Sequence, residues 1–220
     1  MKLLLTSGGI TNASIANALF DLVGKKAEDT SLVFIPTAAN AEKGDKGWFI
    51  NDLINLQKLN LQSIDIADIS AVDEEIWRPK LEEADVLFFE GGKSAHLMKW
   101  INKSGLISIL PKLLQTKVYV GSSAGSRVTG PDLMLQAAQT LYHKDELTYV
   151  ENVAALHLVD FYFLPHLNST DFNLRTEANI KEAVKGIEKK IYALDDNSAL
   201  KIVDGQVEVI SEGKWLVINE

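Results

Sequence analysis

No cysteine occurs in the chain. That excludes disulfides, thiolate metal sites and a cysteine nucleophile together. There is no run of Lys or Arg either, and the formal charge over the 220 residues is −8. An acidic surface repels phosphate backbones, so nucleic acid is not expected as a partner. No apolar stretch approaches the ~20 residues that span a bilayer. The N-terminal run Leu3-Leu4-Leu5 is too short for the core of a signal peptide. A cytoplasmic chain without a membrane partner is the expectation. Histidine is scarce, four in all, and none falls in an HxH or HExxH pattern, so neither a metal nor another cofactor is expected. Repeats, low-complexity tracts and Pro/Gly/Ser linkers are absent as well, which leaves one domain over residues 1–220 as the reading of this length.

What is present is an alternation. Short apolar runs at 2–6, 31–35, 86–89 and 118–121, and a weaker one at 62–66, are separated by helix-period segments. Near-continuous apolar runs suit strands covered on both faces, so the pattern predicts an α/β fold: a mostly parallel sheet with helices on both faces. Helices are expected over 14–23, closed by Gly24, and over 48–59, 74–83, 94–102 and 106–115, the last bent or restarted at Pro111. The second half reads as a strand at 158–164, a helix at 176–185, and strands at 191–194, 199–203, 206–210 and 214–218. Asp204-Gly205 is a hairpin signal, so these late strands predict an antiparallel C-terminal edge.

Two glycine turns carry chemistry. Gly121-Ser122-Ser123-Ala124-Gly125 matches G-x-S-x-G directly after a strand. The turn into the following helix is so tight that side chains two residues either side of the serine would collide. Ser123 is then presented at the strand's carboxyl end, with the Ala124 N–H placed to stabilise an oxyanion. Ser122 and Ser126 lack glycines at both flanking positions. The second turn, Glu90-Gly91-Gly92-Lys93-Ser94, also follows a strand and opens a helix, with Ser94 as N-cap. Its Gly92 N–H is the candidate second oxyanion donor. The bland reading of both turns is a small-residue loop without chemistry.

A base belongs where strands end. His166, in Pro165-His166-Leu167-Asn168, fits that position. His96 sits inside a helix, His143 in a polar loop and His157 before a strand. Asp195 and Asp196 follow the strand at 191–194, and either could orient the imidazole, although Asp-Asp-Asn is also good turn chemistry.

Taken together, the chain resembles the dipeptidase E family of serine peptidases, the aspartyl dipeptidases, whose distant relatives include cyanophycinase. The resemblance runs over essentially the whole length. It rests on the first strand, Phe34-Ile35-Pro36, Gly91-Gly92, the Ser123 turn, Pro165-His166 and a late acid followed by Asp204-Gly205-Gln206. It implies a fold similar to class I glutamine amidotransferases and a Ser-His-acid triad. Ser123 falls on the nucleophile, His166 on the base, and Gly92 and Ala124 on the oxyanion donors. The acid, usually Glu in the aspartyl dipeptidase, falls on Asp196. The residue after the glycine turn, commonly Asn, is Lys93 here, and Arg175 lies where relatives carry an Arg beyond the histidine.

The implied activity is cleavage of short peptides, with a preference for an N-terminal Asp if Lys93, Arg127 and Arg175 line a cationic cleft among loops 91–94, 121–127 and 166–175. The alternatives are a catalytically silent ligand-binding member of this fold and an α/β-hydrolase-type esterase. The esterase requires its histidine after the acid, and no histidine follows His166. A glutamine amidotransferase requires the missing cysteine. A homo-oligomer is left open.

Overall fold

The computed structural model describes residues 1–141 and 154–219, the side chains of residues 135 and 136 excepted. His143 and its polar loop lie outside the described residues. The strands are β1 (Lys2–Thr6), β2 (Ser31–Ile35), β3 (Ser63–Ile66), β4 (Val86–Phe89), β5 (Val118–Ser122), β6 (Tyr162–Leu164), β7 (Ile191–Leu194), β8 (Ser198–Val203), β9 (Gln206–Ser211) and β10 (Trp215–Ile218). The helices are α1 (Ala13–Val23), α2 (Thr37–Asn40), α3 (Gly47–Lys58), α4 (Glu74–Glu83), α5 (Ser94–Lys103), α6 (Leu106–Leu113), α7 (Ala124–Arg127), α8 (Leu135–Leu141) and α9 (Glu177–Ala183).

The large sheet runs β3-β2-β4-β5-β1-β8-β9. Its first five strands are parallel, and β8 and β9 close it as an antiparallel edge. The period of two divides its side chains between two cores. Leu4, Phe34, Phe88 and Val120 pack on α1 and α3 through Ile15, Leu19, Leu22 and Leu56. Leu3, Leu5, Val33, Ile35, Leu87, Phe89 and Tyr119 face α4, α5 and α6 through Trp77, Leu81, Leu97, Ile101 and Leu110. Each such Leu or Phe, fully buried, contributes about 1.5–3 kcal/mol relative to exposure. α1 starts where the Asn12 side chain accepts the Ile15 N–H and stops at Gly24, which adopts φ 73°.

Three features differ from the sequence reading. β7 and β10 do not extend the large sheet. With β6 they form a small sheet, order β10-β7-β6, whose outer face packs on α8 and α9. β6 is also shorter than the apolar run 158–164. The N–H groups of Leu156, Leu158 and Val159 bond instead to the carbonyls of Val128 and Thr129, which draws that segment onto the end of α7. Finally, Pro111 does not restart its helix. It lies inside α6 near the C-terminal end, where its missing N–H removes one bond, and α6 ends at Leu113.

The strands deliver their ends to one place. Gly121 of β5 is level with Leu5 of β1 and Phe89 of β4, so the loops after all three open side by side. In the small sheet Leu164 of β6 is level with Ala193 of β7, so the segments holding His166 and Asp196 leave together.

Candidate active site

Ser123 occupies the turn between β5 and α7 with φ 45° and ψ −99°, a strained conformation for a residue with a Cβ. Its neighbours are small because backbone comes too close for anything else. A Cβ on Gly121 would lie 2.5 Å from the Ser126 nitrogen, and one on Gly125 would lie 2.0 Å from the Phe89 carbonyl oxygen. The Ser123 N–H donates to the Thr6 carbonyl at 3.1 Å. Ser126 is fully buried, with its hydroxyl on the carbonyls of Thr6 and Gly121, and Ser122 is buried in β5. Ser123 is the serine of this turn that meets a histidine: its Oγ is 2.8 Å from His166 Nε2.

His166 follows β6 in the left-handed region, φ 65°. Its Nδ1 lies 2.6 Å from Asp196 Oδ1. An ionised carboxylate only accepts, so Nδ1 donates and Nε2 is left to accept the Ser123 hydroxyl proton. Burial holds the imidazole below its ordinary value of 6.5. The bond to Asp196 and its charge oppose that shift, and the charges of Arg175 and Arg127 add to it. The ring is therefore neutral at neutral pH and able to accept a proton. Burial opposes ionisation of Asp196, but the His166 and Ser7 hydrogen bonds, with the charges of His166 and Arg175, outweigh it and hold the carboxyl low. Asp195 faces the other way. It accepts the Ser198 hydroxyl and the Lys214 and Asn197 N–H groups, pinning the loop before β10.

The oxyanion candidates flank Ser123. A Cβ added to Gly91 would lie 3.4 Å from Ser123 Cβ and 3.7 Å from the Trp48 ring. Gly92 adopts φ 125° and presses on Ala38, where a Cβ would lie 2.4 Å from the carbonyl oxygen. Among the described residues, neither the Gly92 N–H nor the Ala124 N–H is given to a protein acceptor. Lys93, not Ser94, is the N-cap of α5. Ser94 is its first residue, and its Oγ faces Arg127 Nη1 at 3.5 Å.

The three expected cations are not equivalent. Arg175 is 3% exposed. Its guanidinium lies 3.9 Å over the Phe172 ring, whose other partner is the His166 ring at 4.3 Å, nearly parallel. It also donates to the Pro165 carbonyl. Arg127 is half-buried and donates to the Leu133 carbonyl at 2.9 Å. Lys93 is half-exposed, and its charge is felt at His96 rather than at His166. His96 itself sits in α5 beside Trp100. A cavity of about 540 Å³ opens beside the acid, lined by residues 167–171, 195–197 and 213–214. It shares only its 167–171 wall with the cleft expected from the sequence. Among the described residues, no group of three or more His, Asp or Glu could hold a metal ion, and no helix is long and apolar enough to cross a membrane.

Sequence reasoning missed Ser7. Fully buried after β1, it donates its hydroxyl to Asp196 Oδ1 at 2.7 Å and accepts the His166 N–H at 2.7 Å. Beside it, a Cβ on Gly8 would lie 2.9 Å from Asp196 Cβ, so glycine is what lets the acid come this close. The available signal was position: Ser7 and Gly8 follow a strand end, as the other site residues do.

Comparison with known proteins gives a consistent picture. The family model for peptidase family S51 matches residues 3–210. An uncharacterized peptidase of Listeria innocua is 26% identical over 198 residues, covering 86% of this chain and 88% of that one. A Peptidase E of Actinobacillus pleuropneumoniae (strain L20) is 25% identical over 212 residues, covering 94% and 83%. The crystal structure of a provisionally named Peptidase E protein from Listeria monocytogenes EGD-e superposes with a TM-score of 0.78 at 25% identity, over 96% of this chain and 98% of that one.

Proposed function

The chain belongs to peptidase family S51, and we propose that it cleaves short peptides through Ser123, His166 and Asp196. The observation that carries this reading is the unbroken relay Ser123 Oγ–His166 Nε2–His166 Nδ1–Asp196 Oδ1, at 2.8 and 2.6 Å.

In this reading Ser123 Oγ attacks the scissile carbonyl carbon while His166 Nε2 takes its proton. The carbonyl oxygen becomes an oxyanion between the N–H groups of Gly92 and Ala124. Asp196 stabilises the imidazolium. Nε2 then gives the proton to the leaving amine nitrogen, the C–N bond breaks, and an acyl-Ser123 ester remains. Water enters and adds to the ester carbonyl as His166 Nε2 takes its proton. Nε2 then returns that proton to Ser123 Oγ as the C–O bond breaks, releasing a carboxylic acid and restoring the free serine and the neutral base.

The substrate is a short peptide with a free N-terminus. A preference for an acidic first residue is the finer part of the proposal. Arg127 and Arg175, whose charges reach His166, supply a positive field inside a chain of net charge −8, and Lys93, whose charge reaches His96, stands at the start of α5. Buried against Phe172, Arg175 acts through its field. The test compares kcat/KM for Asp-Leu and Asn-Leu in the wild type and in Arg127→Gln and Lys93→Ala. A preference for Asp-Leu that shrinks in either variant supports the acidic-substrate reading. Equal rates in all three proteins remove it and leave the peptidase reading standing.

A further inference from the structure

Glu90 ends an otherwise apolar strand run and is fully buried. One of its oxygens, Oε1, accepts the N–H of the next residue, Gly91, at 2.6 Å. The other, Oε2, is buried with no donor on it. The Glu90 side chain is paired with the carboxyl of Asp52, contributed by α3 one turn after Trp48. Asp52 is itself nearly buried and lies against Gly9, where a Cβ would come within 3.1 Å of its carboxyl. No ion pair to either carboxyl is present among the described residues. Two buried carboxyls in contact without a cation cannot both ionise, so the pair keeps a proton.

We propose that Glu90 donates this proton to Asp52 and thereby aims the Gly91–Gly92 turn at the oxyanion, which makes Glu90 a positioning residue for the reaction. The proposal rests on the reading of Ser123 as nucleophile. The turn needs aiming because its reactive amide is unanchored: the Gly92 N–H has no acceptor among the described residues. The turn is gripped on either side. The Glu90 N–H bonds to the Ile35 carbonyl and the Lys93 N–H to the Ala38 carbonyl, each at 3.1 Å. Within the described residues, Glu90 is the one side chain hydrogen-bonded to the turn's own backbone.

The direction of the proton follows from burial. Burial, then the charge of Asp52, pushes Glu90 well above the ordinary carboxylate range, and burial first of all raises Asp52 to about 7. Glu90 is fully sealed from solvent and its Oε2 receives no donor, whereas Asp52 keeps a little exposure, so the proton is assigned to Glu90. A neutral carboxyl at this place also avoids a negative charge beside the site where negative charge develops in the transition state.

The experiment measures second-order labelling of the full chain by a fluorophosphonate, together with dipeptide kinetics. Glu90→Leu removes the grip on Gly91. Glu90→Gln is the conservative rescue, since its amide keeps an acceptor for Gly91 and a donor for Asp52. Loss of a whole oxyanion donor lowers kcat by about 10²–10³, so misaiming one should slow labelling and kcat roughly ten- to a hundredfold in Glu90→Leu, with KM unchanged. Glu90→Gln should stay within about threefold of wild type on the same scale. If Glu90→Leu fails to fold, the double variant Asp52→Leu/Glu90→Leu removes the stranded carboxylate and carries the same expectation. Wild-type labelling in the folded Leu variant, or a Gln variant as slow as the Leu variant, overturns the proposal. Labelling of Ser123→Ala at the wild-type rate would instead overturn the nucleophile reading.

Discussion

Ser123 leaves the large sheet at the end of β5, whereas His166 and Asp196 leave the small sheet at the ends of β6 and β7. The Ser123 turn is fixed by exclusion. Gly121 and Gly125 sit so close to neighbouring backbone that no side chain fits, and the Ser123 N–H is tied to Thr6 of β1. His166 and Asp196 are fixed by contacts of their own and neighbouring side chains. The His166 ring stacks on Phe172, and the Ser7 hydroxyl bridges the His166 backbone to Asp196. The difference teaches where each half is vulnerable. Changes to the glycines of the large-sheet half disturb the backbone itself, while changes to the small-sheet half leave the backbone in place and act on the rate.

The largest expected effect removes the small-sheet half outright. His166→Ala should lower kcat on the order of 10⁶-fold, because the nucleophile and base act as a unit. Circular dichroism should show the fold intact. A variant retaining a tenth of wild-type turnover would separate His166 from the chemistry.

Next comes the acid. Asp196→Asn keeps the shape but favours the wrong tautomer of His166, at a cost on the order of 10⁴ in kcat. Asp195→Asn is the control. Its amide keeps one acceptor oxygen of the two, so it loses either the Lys214 or the Asn197 backbone bond and should lower the melting temperature while sparing kcat. If Asp195→Asn is the crippled enzyme and Asp196→Asn the unstable one, the two residues have exchanged roles.

A smaller effect sharpens the contrast between the halves. Ser7→Ala and Gly8→Ala act on how Asp196 is held, and each should lower kcat about ten- to a hundredfold with KM little changed, since a displacement of about 1 Å can cost 10²-fold. Gly125→Ala, in the Ser123 turn itself, should lose folding stability, because its Cβ would strike the Phe89 carbonyl. Thermal melts of the three variants decide this: equal destabilisation in all would erase the distinction.

The smallest effect is a shift in pH dependence. The base works when neutral, so activity falls as pH drops through the His166 pKa. Burial, with help from Arg175 and Arg127, places that acid limb below 6.5. Removing a nearby positive charge makes protonation easier, so Arg127→Gln should move the limb of kcat/KM to higher pH. An unmoved or lowered limb contradicts the electrostatic assignment.

Much of this was legible in the sequence, for physical reasons that differ by element. β1, β2 and β4 announce themselves because strands covered on both faces need unbroken apolar runs. The Ser123 turn does so because its steric demand falls on two fixed glycine positions. The separate small sheet was hidden. β6 has three residues, and its pairing with β7 spans α9 and two loops, so no local pattern records it. The residues alone left Asp195 and Asp196 open, since both are ordinary turn residues; the family resemblance pointed to Asp196, and in the structure it is Asp196 that meets His166. Ser7 and the Asp52–Glu90 pair were invisible for another reason. Their roles exist only in contact, and Ser7 stands 189 positions from the acid it holds.

The measurement that bears most directly on the proposed triad is mass-spectrometric mapping of a fluorophosphonate adduct on the wild-type chain and on Asp196→Asn. The account predicts one adduct, on Ser123, forming far more slowly in Asp196→Asn. An adduct on Ser122 or Ser126, or hydrolysis of peptides by a chain that takes up no label, would contradict it.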